Sequence, residues 1–144
     1  MIDYTQPDMT LNNLWAAFKG DASAIVGGSG RVLGSNSNSN VFISYDDHGG
    51  KGLVGYPGGA IYANDLIATL TWMHDNQKYK NLLFYMEACF SGSMFQGMSA
   101  DLGIYAVTSA NANEYGWMTY CPPQDLANGV HLNTCLGDQM NTAY

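Results

Sequence analysis

Positive charge is scarce in this 144-residue chain: five Lys and Arg against twelve Asp and Glu give a formal charge of −7. The five bases, Lys19, Arg31, Lys51, Lys78 and Lys80, are scattered and make no basic patch to neutralise phosphates, which argues against nucleic acid as a partner. Long apolar runs are also lacking. No stretch approaches the roughly 20 residues that cross a bilayer, and the amino end shows no secretory leader pattern, so no membrane partner is expected. Metal-binding spacings are missing too. Cys89, Cys121 and Cys135 form no C-x-x-C, and His48, His74 and His131 form no i, i+4 pair, so neither a metal nor another cofactor is expected. At this length and with 47% hydrophobic residues, one core and one domain are expected.

The stretch from Asn81 to Met94 changes character at a cysteine. Leu82 to Met86 is a continuous apolar run, as in a strand of a parallel sheet covered on both faces. Glu87, Ala88 and Cys89 stand where that strand ends, and Ser91-Gly92-Ser93 reads as a turn into a helix starting near Met94. Open α/β sheets present ligands at the carboxyl ends of their strands, where a nucleophilic thiol belongs; the alternative is a buried structural cysteine. A second apolar run, Val41 to Tyr45, leads directly into Asp46-Asp47-His48-Gly49-Gly50. If the two strands are parallel neighbours, His48 and Cys89 emerge at one edge. The glycines would let backbone approach a substrate, with an N–H aimed at a developing oxyanion. The competing reading of His48 is a surface loop histidine.

The remaining chain supplies a scaffold. Asp3 to Pro7 is turn-like, and Thr10 caps a helix over Leu11 to Phe18 whose face of Leu11, Leu14, Trp15 and Phe18 packs on the sheet. Gly27 to Asn40 is a surface connection. Gly52 to Val54 and Ala60 to Tyr62 read as a hairpin across Tyr56-Pro57-Gly58-Gly59. Ala63 to Asn76 is an amphipathic crossover helix with Leu66, Ile67, Leu70 and Met73 inward and Asn64 or Asp65 near its start. Gly103 to Thr108 is a third buried strand, bringing Ser109 to Asn111 to the same edge. Ala112 to Tyr144 reads as irregular and as a pocket wall.

D-H-G-G at Asp47–Gly50, Y-x-E-A-C-x-S-G-S-M ending at Met94, Y-A-V-T-S-A-N at Tyr105–Asn111, T-Y-C-P at Thr119–Pro122 and T-C-L-G-D at Thr134–Asp138 occur in the order and near the spacing of the legumains. The chain therefore resembles these asparaginyl endopeptidases, cysteine peptidases of caspase-like fold. The resemblance implies an α/β architecture, a mostly parallel sheet flanked by helices in three αβα layers. The amino-terminal strand with an Asn-Tyr-Arg-His-type motif has no counterpart, and the family's closing segment is missing. Residues 1–144 are thus expected to be a partial catalytic domain, incomplete at its amino-terminal strand and carboxyl end. Plant-type legumains have cysteines matching Cys121 and Cys135, implying a disulfide and an oxidising compartment; two free thiols remain the alternative. The family also implies a lysosomal, vacuolar or secreted location and a separate inhibitory prodomain in the parent protein.

On this resemblance Cys89 is the nucleophile, His48 protonates the leaving amine, the N–H groups of Gly49 and Cys89 hold the oxyanion, and Asp47, next to the histidine, tunes the site. Asp46 is expected to be peripheral. Substrates would be peptides or proteins with Asn, or Asp at low pH, at the cleaved position. The pocket would draw on Glu87 and Asp138 as acceptors for a carboxamide N–H₂, with Gly116, Trp117 and Met118 beside them. Tyr115 and Gly116 stand where the family has two serines, and Phe90 replaces an acidic residue. The alternatives are an Asn-specific peptide ligase, since Met118 follows the pocket tryptophan, and a truncated, inactive binding module.

Overall fold

A computed structural model describes residues 2–143. Its centre is a three-stranded parallel sheet, built from β1 (Asn40–Asp46) and two strands that follow much later. Before β1 lies α1 (Leu11–Lys19); Thr10 caps it by accepting the Asn13 N–H at 3.2 Å, and Gly20 ends it in the left-handed conformation. After β1 come β2 (Gly49–Gly50), β3 (Leu53–Tyr56) and β4 (Gly59–Tyr62), an antiparallel three-stranded sheet. The two glycines after His48 are therefore paired with Val54 and Leu53, not loose loop as the sequence suggests, and the hairpin turn narrows to Pro57-Gly58.

The crossover helix α2 (Ala63–Asp75) leads to β5 (Asn81–Glu87), with β6 (Ile104–Thr108) beyond it. The parallel sheet runs β1-β5-β6, so the strand that precedes Cys89 is central. Tyr62 occupies the cap position of α2 without a side-chain hydrogen bond, while Asp65 lies in the first turn, where a carboxylate favours the amino end of the helix dipole.

Leu66, Leu70 and Met73 of α2 pack with Val41, Leu82, Phe84 and Met86 into the core. Leu11, Leu14, Trp15 and Phe18 of α1 join the same cluster. Strand alternation sends the neighbouring residues the other way: Phe42 and Tyr105 are exposed, and Leu83 and Tyr85 are half-buried. The continuous apolar runs thus do not make doubly covered strands, because both described α-helices lie against one face. Phe42 and Tyr85 meet edge to face on the other, with ring centroids 5.3 Å apart.

Two local expectations change. No α-helix starts at Met94; Ser91–Phe95 is a 3₁₀ turn, and a second one spans Ala100–Leu102. The serines explain the short element, since Ser91 and Ser93 spend their hydroxyls on neighbouring segments. Nor is the stretch after Ala112 wholly irregular. It holds β7 (Met118–Thr119), β8 (Leu126–Ala127), β9 (Val130–His131) and β10 (Gly137–Asp138), paired as β7–β10 and β8–β9. Tyr144 lies outside the described residues.

Candidate active site

β1 and β5 are in register to their last residues, with Asp46 opposite Glu87. The Asp47 N–H continues the ladder by donating to the Glu87 carbonyl at 3.3 Å. The two chains consequently leave the sheet level with each other, and Asp46, Asp47, His48, Glu87 and Cys89 line one cleft. Gly49 sets the separation of the two loops. A β-carbon there would collide with the Cys89 carbonyl oxygen and stand 2.9 Å from Ala88 Cβ, so a side chain has no room.

The loop bearing the thiol is fixed from β6. Ser109 Oγ accepts the Ala88 N–H at 3.2 Å. Fully buried Ser91 donates to the Ala110 carbonyl and accepts the Ala110 N–H at 3.2 and 3.1 Å. On the histidine side, Ser93 Oγ accepts the Gly52 N–H at 2.8 Å. Cys89 is half-buried and free, its thiol 3.9 Å from the Gly116 carbonyl. Asp47 Oδ1 accepts the His48 backbone N–H at 2.6 Å, which braces the turn from which the imidazole projects.

The acidic end of the cleft holds more groups than the motifs suggest. Glu87 is 6% exposed and its Oε2 has no hydrogen-bond partner. Burial pushes its pKa up to about 7, and the charges of Asp138 and Asp46 push the same way while Ser109 opposes them. Asp138 behaves differently. Burial favours its neutral form, but hydrogen bonds from the Asn141 backbone, the Glu87 side chain and the Asn141 carboxamide outweigh that and hold its pKa below the ordinary range. The Asn141 N–H donates to Asp138 Oδ1 at 2.6 Å, and its Nδ2 reaches Asp138 Oδ2 at 2.7 Å and Asp46 Oδ2 at 3.0 Å. Asp46 is thus not peripheral. It lines the cleft, and burial followed by the charges of Asp138 and Asp47 raises its pKa. Asn141 went unseen in the sequence because no local motif announces a side chain that binds a carboxylate 95 positions away, on Asp46, and joins it to Asp138.

Gly116 and Met118 line the cleft beside the thiol, together with Cys135, Leu136 and Gly137. A β-carbon on Gly116 would approach Glu87 Oε1 to 2.9 Å, so its absence lets the chain press on the carboxylate. Trp117 does not join them; it is 68% exposed and absent from the lining. Cys121 and Cys135 form a disulfide that closes the β8–β9 loop. Inside that loop, buried Asp125 accepts from His131 Nδ1 at 2.7 Å and the Asn133 N–H at 2.6 Å. The histidine and then the backbone donors outweigh burial and lower the Asp125 pKa. This network shapes the segment that delivers Leu136 and Asp138 to the cleft, and no motif pointed to it. Among the described residues no cluster of three or more His, Cys, Asp or Glu could hold a metal ion.

A thiol and an imidazole stand at the carboxyl edge of a parallel sheet with helices packed against it, an α/β architecture that agrees with a caspase-like fold. The sequence profile of the peptidase C13 family matches residues 1–144, and the chain belongs to that family. It is 44% identical over 144 residues to a vacuolar-processing enzyme of Citrus sinensis, covering 99% of this chain and 29% of the relative. It is likewise 44% identical to legumain of Canavalia ensiformis and to the vacuolar-processing enzyme beta-isozyme of Arabidopsis thaliana, covering 99% of this chain and 30% of each. The chain thus spans under a third of the length of these relatives.

Proposed function

We propose that this chain carries the nucleophile side of a cysteine endopeptidase site that cleaves peptide bonds after Asn, and after Asp at low pH. The observation behind the reading is that the one free thiol of the described residues shares a cleft with His48 and with a buried carboxylate pair, Glu87 and Asp138. Cys89 Sγ, as thiolate, bonds to the scissile carbonyl carbon while the C–N bond breaks and His48 delivers a proton to the departing amine. Water then attacks the thioester, giving up a proton to the imidazole, and the C–S bond breaks to release the acid product and restore the thiolate beside protonated His48. The N–H groups of Gly49 and Cys89 stabilise the oxyanion in both steps, which does not depend on side-chain identity.

Specificity follows from the acidic end. An Asn side chain donates two N–H bonds to the Glu87 and Asp138 carboxylates, whereas an apolar isostere leaves them unpaired and desolvated. Below about pH 7 Glu87 is protonated and donates instead, which suits a carboxyl oxygen of Asp. The vacuolar names of the relatives support a vacuolar location. Met118 at the cleft wall also suits a transpeptidase, in which an amine resolves the same thioester. Incubation with a peptide carrying a single Asn tests the reading: cleavage on its carboxyl side, abolished by Cys89→Ala and by Asn→Gln in the peptide, is expected. Cleavage that survives Cys89→Ala would overturn it.

A further inference from the structure

Immediately outside the cleft lining, three residues the acidic pocket does not use stand together: Lys51, Phe90 and Tyr115. The Phe90 and Tyr115 rings meet edge to face with centroids 4.8 Å apart, and Lys51 Nζ lies 5.9 Å from the Phe90 centroid. Phe90 follows the nucleophile directly, and its φ of 58° is left-handed, a conformation that a bulky side chain adopts only when the surroundings impose it. The surroundings are visible. Its N–H donates to the Glu114 carbonyl at 2.8 Å, and its carbonyl accepts the Ser93 N–H at 2.8 Å.

The turn that leads into Tyr115 is braced by its own side chains. Glu114 Oε1 accepts the Asn111 N–H, and Asn111 Oδ1 accepts the Asn113 N–H, each at 2.8 Å. Tyr115 nevertheless remains 61% exposed. An exposed tyrosine has only two side-chain torsions to lose and a large ring to bury, so covering it costs little conformational entropy, which is the condition for a binding anchor.

We propose that Tyr115 and Phe90, bordered by Lys51, form a subsite for an aromatic or large aliphatic side chain of the substrate, on a residue flanking the cleaved Asn. The inference rests on the peptidase reading above. Continuity selects the occupant: Phe90 is bonded to Cys89 and Tyr115 to Gly116, both of which line the cleft, so the two rings border the cleft at its thiol end, next to where a peptide held at Cys89 would continue. Charge rules out the acidic alternative, because Lys51 is a single exposed cation in a chain of net charge −7, beside a cleft lined by Asp46, Glu87 and Asp138. The rings therefore set the preference.

The test is calorimetric binding of peptides containing one Asn, with Phe or Ala placed just before or just after it, to the Cys89→Ala protein. Phe at one of the two positions should bind about tenfold more tightly than Ala, on the order of an aromatic pair with its buried area. Tyr115→Ser should erase that difference, and Tyr115→Phe should restore it, which a merely structural role would not do. Equal affinity for Phe and Ala at both positions, or a preference that survives Tyr115→Ser, overturns the subsite. Replacing Asn by Gln in the same peptides probes the acidic pocket separately: unchanged affinity there would sink the specificity reading, whatever the flanking residue does.

Discussion

Gly49 and Cys89 touch backbone to backbone: the Cα of the glycine lies so close to the Cys89 carbonyl oxygen that no β-carbon fits between them. The contact sets how far the histidine turn stands from the thiol loop. Gly49→Ala must push the two apart or strain both, at a cost of about 1–3 kcal/mol, as for overpacking elsewhere. A lower melting temperature, together with slower alkylation of Cys89 by an Asn peptide electrophile than by iodoacetamide, is the expected result.

Glu87 is expected to act on the substrate side chain and not on the thiol. Above about pH 7, where Glu87 is ionised, Glu87→Gln should lower kcat/KM for cleavage after Asn by roughly tenfold or more, the loss of a charge-assisted hydrogen bond. Alkylation of Cys89 by a small reagent should be unaltered. Parallel losses in both assays would assign Glu87 to the fold or the thiolate instead.

The same carboxyl makes stability depend on pH. Its folded pKa of about 7 lies above the ordinary 4.5, so the folded state binds the proton more tightly than the unfolded chain does. That contribution is fully present below pH 4.5 and is lost as pH rises through about 7, amounting to at most about 3 kcal/mol. Denaturant midpoints should therefore fall between pH 4.5 and 7.5 in the wild-type protein, and Glu87→Gln should flatten this part of the profile.

Asn141 works in the opposite direction. By hydrogen-bonding the Asp138 carboxylate at both oxygens, it favours the ionised form. Asp138 thus contributes stability that is present above its unfolded pKa and lost as pH falls through the lower, folded one. Asn141→Ala, which removes the carboxamide but not the backbone donor, should cost about 1–2 kcal/mol near pH 7. The deficit should shrink in acid, where Asp138 is protonated in either variant.

The sequence made some of this legible for identifiable reasons. Val41–Tyr45 and Leu82–Met86 are short apolar runs that end in chemistry-bearing residues, so their strands and shared edge are legible in the sequence itself. The one-sided covering of the sheet could not. Phe42, Leu83, Tyr85 and Tyr105 are as apolar as the buried residues between them, and apolarity does not say which face meets a helix. The Gly49–Gly50 pairing was hidden because glycine carries no strand signal. In the late segment, Asp125, His131 and Asn141 act through hydrogen bonds between loops, which leave no periodicity. Trp117 shows the reverse case, a motif residue that the backbone turns outward to solvent.

The central claim is that Cys89 is a nucleophile facing a pocket that reads Asn. Treatment with an electrophilic peptide probe bearing Asn, alongside its Gln counterpart, with peptide mapping of the adduct, tests it most directly. Modification of Cys89 that is at least tenfold faster with the Asn probe, and slowed by His48→Ala, is the predicted result. Equal rates for the two probes, or an adduct at any other residue of the folded protein, would contradict it.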